Sequence, residues 1–326
     1  MKSDRPRLAV VVPCYNEEEV LPETAKRLSG KIQQLINGQI ISEKSKIFFV
    51  DDGSGDSTWS LIEKYHMENP LNFGGIKLSR NRGHQNALLC GLLAVKDHFD
   101  AAVSIDADLQ HDINVIDKMV EKYRAGYEIV YGVRYDRKKE DSFFKRSTAQ
   151  GFYRFMRFLG VDVVYNHADF RLMGKNALKA LAEYDEVNLF LRGIIPLLGF
   201  KTSIEYHTCT ERLAGTSKYT IRKMLKFALE GITSFSVKPI RMITFLGISL
   251  FIVSIAMIVY FFVRYFTGHT ISGWASIICS LWGIGGLILF SIGIVGEYIG
   301  KIYLEAKRRP RFHVEKLLYE DKNAVI

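Results

Sequence analysis

Residues 101–110 read AAVSIDADLQ, an apolar run followed by two aspartates with one alanine between them. Comparable apolar runs occur elsewhere in the first half of the chain, at 8–12, 46–50, 75–78 and 127–133. Helical patterns fill the intervals between them, at about 17–36, 57–68, 85–96 and 113–124. Strands that alternate with helices predict an α/β fold with right-handed crossovers and a mostly parallel sheet flanked by helices on both faces.

Polar sequences follow the first four of these runs in chain order, and three of the four contain carboxylates. They read PCYNEE (13–18), DDGSGDS (51–57), SRNRG (79–83) and DADLQ (106–110). Each alone is equally compatible with a turn or a helix N-cap, because Asp, Ser and Gly favour such positions. Since ligands bind at the carboxyl ends of parallel strands, the four together predict one site for a metal ion and a hydroxyl-rich ligand.

The DADLQ segment carries the candidate metal ligands. Asp106 and Asp108 lie two residues apart, so one carboxylate can face a ribose hydroxyl while the other binds a divalent cation. Mg²⁺ and Mn²⁺ prefer oxygen ligands, and phosphates often complete their coordination shell. Gln110 can add an amide oxygen on the same side. The sequence has neither a Gly-x-Gly-x-x-Gly after the first strand nor a Gly-Lys-Ser/Thr loop, which disfavours dinucleotide and P-loop sites.

The second half of the chain contains two long stretches without charge. Residues 242–263 have no charged side chain, and residues 265–296 have none apart from His269. A helix needs about 20 apolar residues to cross a bilayer. Buried core helices are the alternative, but they rarely lack charge for this long. We therefore expect two transmembrane helices within 241–300, joined as a hairpin by a short loop.

Positive charge is concentrated beside these stretches. The net charge is +9; residues 218–241 hold six Lys or Arg against one Glu, and residues 301–326 hold seven against four acids. Both flanks are therefore predicted to face the cytosol. Little excess charge remains on residues 1–217, which disfavours nucleic acid as a partner. The four cysteines show no paired spacing, which argues against a disulfide scaffold or a cysteine zinc site.

These patterns predict four regions. Residues 1–217 form a cytosolic catalytic domain that no signal peptide precedes. Residues 218–240 form an amphipathic helix at the membrane interface, with packing on the soluble domain as the alternative. Residues 241–300 hold the two membrane helices, and residues 301–326 form a cytosolic basic tail. Glycines at 283, 285, 286 and 293 leave a homo-oligomer through the membrane helices open.

The ordered motifs carry a family resemblance. PCYNEEE (13–19), VDDGSGDST (50–58), LSRNRGHQNALLCGL (78–92), SIDADLQHD (104–112), DFRLM (169–173) and ERLAGTSKY (211–219) resemble family 2 glycosyltransferases, which have the Rossmann-like GT-A fold. Within that family the series is most similar to the polyprenyl-phosphate glycosyltransferases, which include bactoprenol glucosyltransferases and dolichol-phosphate mannose synthases. The Gln-x-x-Arg-Trp motif of the processive synthases is missing from the sequence.

The resemblance implies roles for individual residues. The nucleotide donor would contact a set at the strand ends and near residue 215: Pro13, Tyr15, Glu17, Asp51, Asp52, Arg80, Asp106, Arg212, Ser217 and Lys218. Asp106 and Asp108 match the DXD pair, with Gln110 as the accompanying ligand of Mg²⁺ or Mn²⁺. Arg134 and Arg146 resemble the arginines that bind the acceptor lipid phosphate, and Asp169 resembles a carboxylate on the acceptor side. Its alternative is a structural carboxylate paired with Arg171.

The resemblance also implies a reaction. A single hexose, glucose or N-acetylglucosamine, would pass with inversion from a UDP-sugar to undecaprenyl phosphate at the cytoplasmic membrane, supplying cell-envelope glycan or teichoic acid modification. GDP-mannose is a less favoured donor. Two alternatives stay open: a transferase that makes another glycolipid such as a glycosyl-diacylglycerol, and a non-catalytic membrane scaffold that binds a nucleotide sugar.

Overall fold

The computed structural model describes residues 4–108, 110–134, 167–208, 238–267 and 273–319. The chain divides into two compact units. The sheet unit comprises the described residues up to 208 together with residues 308–319, and the helical unit comprises residues 238–307. The chain thus leaves the sheet unit, passes through the helical unit and returns to the sheet unit.

Within the described residues, the sheet unit contains one eight-stranded mixed sheet. Its strands are β1 (Leu8–Cys14), β2 (Lys46–Asp51), β3 (Phe73–Leu78), β4 (Ala101–Ser104), β5 (Ile129–Arg134), β6 (His167–Gly174), β7 (Thr202–His207) and β8 (Val314–Leu318). Their spatial order is β7-β5-β6-β4-β1-β2-β3-β8. In the described sheet, β6 and β8 run antiparallel to their neighbours and the other strands are parallel to one another.

Six helices accompany the sheet in the described part of this unit. They are α1 (Leu21–Asn37), α2 (Thr58–Glu68), α3 (His84–Val95), α4 (Ile116–Arg124), α5 (Lys175–Ala182) and α6 (Leu191–Leu197), with a 3-10 turn at Ile113–Val115. Helix α1 buries a stripe at three- and four-residue spacing, which includes Leu21, Leu28, Ile32 and Leu35. All seven residues of β1 are buried, because β1 lies in the middle of the sheet and is covered on both faces.

The predicted α/β sheet is confirmed, with five strands and four helices at the expected places. Strand β6 was not predicted; it enters between β4 and β5 and makes the sheet mixed rather than fully parallel. Strands β7 and β8 were also not predicted. Strand β8 lies in the segment read as a basic tail, and it pairs with β3 as the edge strand of the sheet.

The helical unit contains α7 (Lys238–Phe266) and α8 (Trp274–Ala306), which contact each other. Within the described residues, one stretch is long and apolar enough to cross a membrane: Gly283–Ala306, with mean hydropathy 1.6. The second membrane crossing, and with it the transmembrane hairpin, therefore remains a prediction. Most of the predicted interface helix, residues 218–237, lies outside the described residues.

Candidate functional site

The loops after β1 and β2 are joined by a hydrogen-bond network. Asn16 is the corner of the first loop, with φ of 54°; its backbone N donates to Ser54 Oγ at 3.0 Å, and its Oδ1 accepts from Gly55 N at 2.9 Å. The N of Glu17 donates to Thr58 Oγ1 at 2.9 Å. This network fixes the PCYNEE and DDGSGDS motifs as one rim of the sheet. It leaves the side chain of Tyr15 48% exposed on that rim.

Asp52 ties the loop after β3 to the same rim. Its two carboxylate oxygens accept from the backbone N of Arg82 at 2.7 Å and of Gly83 at 2.9 Å. Gly53 has φ of 69°, and a Cβ there would lie 2.6 Å from the carbonyl carbon of Arg80. The backbones of the two loops are therefore in direct contact. This arrangement places Arg80, whose side chain is exposed, at the edge where the donor was predicted to bind.

Asp51 and Asp52 are both buried, which bears on their chemistry. Asp51 accepts from the backbone N of Ser54 at 3.2 Å. Burial raises the pKa of both carboxyl groups, and the hydrogen bonds that each accepts only partly offset that rise. In the structure these carboxylates hold the loops together. Their predicted contact with uracil or ribose stays a prediction.

Asp106 follows β4 and lies beside two histidines. Its Oδ1 is 3.4 Å from His84 Nε2, and its Oδ2 is 3.3 Å from the Nε2 of the buried His111. Burial would raise the pKa of Asp106, but the hydrogen bond from His111 and the charges of the two histidines outweigh it and lower the pKa. His111 in turn stacks on Phe170 of β6. The sequence motifs SRNRGH and DADLQH therefore meet at this carboxylate.

Asp169 in β6 faces three cationic groups. Arg171 forms an ion pair with Oδ1, Arg192 Nη2 lies 3.0 Å from Oδ2, and His84 Nε2 lies 3.6 Å from Oδ2. Burial would raise the pKa of Asp169, but the hydrogen bond with His84 and the charges of Arg171 and Arg192 hold it well below the usual range. Asp169 is thus an ionised, nearly buried carboxylate, and His84 connects it to Asp106.

The two arginines differ in their surroundings. The side chain of Arg171 is 1% exposed, whereas that of Arg192 is 32% exposed. Arg192 lies in the first turn of α6, and the backbone N of Leu191 at the start of that helix donates to Gln85 Oε1 at 2.9 Å. Arg171 is the buried counter-ion of Asp169, which matches the structural pairing considered from the sequence. Arg192 is the solvent-facing member of the cluster.

The structure brings only part of the predicted site together. Asp51, Asp52, Arg80, Asp106 and the Tyr15 loop share the carboxyl edge of the sheet, and Asp169 joins them through His84. Pro13 is buried within β1 and Glu17 is half-buried. The backbone of Arg134 ends β5. Four predicted residues lie outside the described part of the chain: Arg146, Arg212, Ser217 and Lys218.

The donor set after β4 fits a hard divalent cation. Asp106, Asp108 and Gln110 offer two carboxylates and an amide, all three are partly accessible, and the Asp106–histidine contacts are long for hydrogen bonds. Among the described residues, no group of three or more His, Cys, Asp or Glu is arranged to hold a metal. The two carboxylates and the amide after β4 fit Mg²⁺ or Mn²⁺, which proteins often hold by one or two carboxylates with phosphate oxygens as further ligands.

Sequence patterns alone do not show that Arg192 and His84 lie beside Asp169. Arg192 was not considered, although the charged residue in the otherwise apolar run 189–198 is a usable signal. His84 is, from the sequence alone, a lone histidine beside a motif, and such a histidine is usually a hydrogen-bonded support. Its place between Asp106 and Asp169 depends on the antiparallel insertion of β6, which the local sequence does not show.

Comparison with known proteins identifies the family of this chain. The family model for glycosyl transferase family 2 matches residues 9–182. The uncharacterized glycosyltransferase YkoT of Bacillus subtilis (strain 168) is 52% identical over 322 residues, 99% of this chain and 95% of the relative. The bactoprenol glucosyl transferase of Shigella phage SfX is 37% identical over 315 residues, 95% of this chain and 99% of the relative.

A more distant likeness is found among solved structures. The mannosyltransferase PcManGT from Pyrobaculum calidifontis, in complex with GDP-Man and Mn²⁺, is 17% identical with a TM-score of 0.48, covering 73% of this chain and 65% of its own. The family model and the two sequence relatives confirm the resemblance seen in the motifs. The chain therefore belongs to glycosyl transferase family 2, and it is similar to a bactoprenol glucosyl transferase over nearly its whole length.

Proposed function

We propose that this chain transfers one hexose, with inversion, from a UDP-sugar to a polyprenyl phosphate at the cytoplasmic face of a membrane. The observation that carries the proposal is 37% identity, over 99% of the relative's length, to a protein named for glucosyl transfer to bactoprenol. The described strand-end cluster supports it, because its loops and carboxylates lie where α/β sheets bind ligands. Glucose and N-acetylglucosamine are the proposed sugars.

On the donor side, the rim formed by the loops after β1, β2 and β3 would hold the nucleotide. Tyr15 is exposed there and offers an aromatic face to the base, and Arg80 offers a positive charge. Asp106, Asp108 and Gln110 would hold the divalent cation. When bound, that cation supplies positive charge that stabilises the developing negative charge of the nucleoside diphosphate leaving group. Arg212, with Ser217 and Lys218 nearby, is proposed to contact the same diphosphate.

On the acceptor side, the nucleophile would be an oxygen of the lipid phosphate. That oxygen is already largely anionic at neutral pH, because the second pKa of a phosphate monoester is about 6. Arg134 and Arg146 would bind and aim the phosphate, since guanidinium groups form bidentate hydrogen bonds with it. Asp169 would orient groups near the attacking oxygen. In-line attack on the anomeric carbon then inverts its configuration.

We also propose that α7 and α8 form a transmembrane hairpin. The support is connectivity: the chain enters the helical unit from the sheet unit and returns to it at β8. If the sheet unit stays on one side of a membrane, the number of crossings between must be even. Helix α8 contains one apolar span, and the uncharged residues 242–263 of α7 are long enough for the other. The basic flanks favour the cytosolic side.

The test is a product assay with membranes that contain the full-length protein. They are incubated with undecaprenyl phosphate and, in turn, UDP-glucose, UDP-N-acetylglucosamine and GDP-mannose, and the lipid products are identified by mass. We expect one added hexose on undecaprenyl phosphate, released by mild acid. Asp108→Asn should abolish the product while remaining folded, and Glu121→Gln, an exposed carboxylate on α4, should leave it unchanged.

Other products would contradict the proposal in distinguishable ways. An acid-stable glycosyl-diacylglycerol would show that the acceptor is a different lipid. Binding of UDP-sugar without turnover of any donor would indicate a nucleotide-sugar-binding scaffold. Full activity of Asp108→Asn would remove the proposed role of the DADLQ segment.

A further inference from the structure

The segment after α8 is an integral part of the sheet unit. Strand β8 pairs antiparallel with β3, from Gly75 opposite Leu318 to Leu78 opposite Val314. Leu318 packs against the hydrophobic core, and the ring of Tyr319 lies 5.5 Å from that of Phe48. The segment therefore has a defined position in the fold, although its composition indicated only a basic tail.

The same segment contacts the loop after β3. The carbonyl of His313 accepts from the backbone N of Ser79 at 3.0 Å. Ser79 directly precedes Arg80, whose backbone lies against Gly53, and the loop continues to the two N–H groups that bind Asp52. The His313 carbonyl thus holds the start of the loop 79–83, and Asp52 holds its far end.

It also contacts the segment that leads to Arg192. Arg311 Nη1 donates to the carbonyl of Tyr184 at 2.7 Å, and its Nη2 lies 3.8 Å from Asp185. The Arg311 side chain is only 14% exposed, whereas that of Asp185 is 98% exposed. Because a fully exposed partner adds little to an ion pair, the hydrogen bond to the Tyr184 carbonyl is the stronger of the two polar contacts of Arg311.

Burying an arginine against one carbonyl carries a free-energy cost. The guanidinium loses hydration and its side chain loses rotamer freedom. The β8–β3 pairing does not depend on it, because the register begins at Val314. The contact instead fixes the chain between α5 and α6, and α6 carries Arg192 to Asp169.

We propose that residues 311–313 are a positioning element of the transferase site, with Arg311 as its principal positioning residue. Through the His313 carbonyl and Arg311, this segment holds the donor-side loop 79–83 and the segment 184–192 on the Asp169 side. The effect on turnover rests on the proposed function, whereas the effect on loop order does not. The contacts made by this segment, which follows α8, are then required for full catalytic activity.

The test compares Arg311→Gln, Arg311→Lys and Lys316→Gln in the full-length protein in detergent. Lys316 lies in β8, three residues beyond this positioning element, and pairs with Glu63 on the surface, so it is a matched control. Hydrogen–deuterium exchange is measured for peptides covering 79–83 and 184–192. The Tm, and the kcat and KM for donor and for undecaprenyl phosphate, are measured on the same samples.

We expect Arg311→Gln to speed exchange in 184–192 by roughly ten-fold or more, the factor that follows from losing one charge-assisted hydrogen bond. Its kcat/KM for the lipid phosphate should fall by a similar factor, with the KM for the donor changed less. Arg311→Lys should restore most of both properties, because the ammonium group can also donate to the carbonyl. Lys316→Gln should match the wild type.

Unchanged exchange in 184–192 would overturn the proposal, as would faster exchange with an unchanged kcat/KM. A loss of activity that only follows a lower Tm, without rescue by Arg311→Lys, would assign Arg311 to stability alone and would also overturn it. If the wild type transfers no sugar, the proposed function fails, but the exchange data still decide whether this segment orders 184–192.

Discussion

Replacing Gly53 by alanine should disrupt the donor side of the site, because this glycine lies between two loops. Its φ of 69° is in the left-handed region, and an added Cβ would lie 2.6 Å from the Arg80 carbonyl carbon and 2.7 Å from Asn81 N. Both neighbours are backbone atoms, so no side chain can rotate away. The loop after β3 would have to retreat by about 0.8 Å to restore ordinary contact at 3.4 Å.

The size of the effect follows from two terms. An alanine in the left-handed conformation costs about 1–2 kcal/mol. A retreat of that size also lengthens the 2.7 Å and 2.9 Å hydrogen bonds to Asp52 beyond the normal range, and losing one such bond to a charged group costs about 1.5–3 kcal/mol. Together these terms give a free-energy loss of about 2.5–5 kcal/mol, which corresponds to a fall in Tm of about 5–20 °C for a domain of this size.

Thermal unfolding of the detergent-solubilised protein measures the loss of stability, and the KM for the UDP-sugar measures the loss of donor binding. Gly55→Ala is the matched control. It lies two residues away in the same motif, and an added Cβ there meets nothing within 4 Å. We expect Gly55→Ala to behave as the wild type and Gly53→Ala to lose stability and bind the donor at least ten-fold more weakly. Equal Tm and equal KM in the two variants would refute the close packing of these loops as a determinant of the site.

Three further predictions concern the charged groups. Chelation of divalent ions should stop turnover, Mn²⁺ should restore it in the wild type, and restoration to the same level in Asp108→Asn would contradict the metal assignment. Arg192→Gln should lower kcat/KM roughly ten-fold with little change in Tm, whereas Arg171→Gln should destabilise the fold by about 3–5 kcal/mol, because it leaves a buried carboxylate without its buried partner. Asp169→Asn should be less stable than the wild type at pH 8, by a margin that grows as the pH falls towards 5. Burial would lower the pKa of His84, but the hydrogen bond with Asp169 and the charges of Asp106 and Asp169 raise it, so protonated His84 adds stability that the variant lacks. The margin should shrink only below the ordinary carboxyl pKa of about 3.9. A lowered folded-state pKa stabilises the protein above that value, and this contribution is lost as the pH falls. A margin that already shrinks between pH 7 and 5 would show that the pKa of Asp169 is not lowered.

The parallel part of the fold could be predicted because local patterns determine it. Strands β1 to β4 are buried, apolar and separated by helices with a clear apolar stripe, such as α1. Each strand end carried its own polar motif, so one sheet edge followed from topology alone. The residues predicted for the donor side on these loops could therefore be placed at one edge of the sheet without knowledge of any contact.

The antiparallel strands depend on distant pairing and were not predictable in this way. Strand β6 contains the buried Arg171 and Asp169, which break the apolar pattern, and it inserts between β4 and β5. Strand β8 is an edge strand with charged residues at 315 and 316, a composition that protects an exposed sheet edge from aggregation and that resembles a solvated tail. The His84–Asp169–Arg192 cluster depends on β6, which explains why the sequence showed only its separate members.

The electrostatics of Asp169 bear on its role in the proposed reaction. A diacylglycerol hydroxyl must lose a proton during attack, and a general base works best with a pKa near the operating pH. Asp169 is unsuited to that task, since Arg171, Arg192 and His84 hold its pKa well below the usual range. A lipid phosphate is already anionic at neutral pH and requires only to be held and aligned, which positively charged groups do well. In the proposed transfer to a polyprenyl phosphate, the charge around Asp169 therefore suits a positioning group rather than a general base.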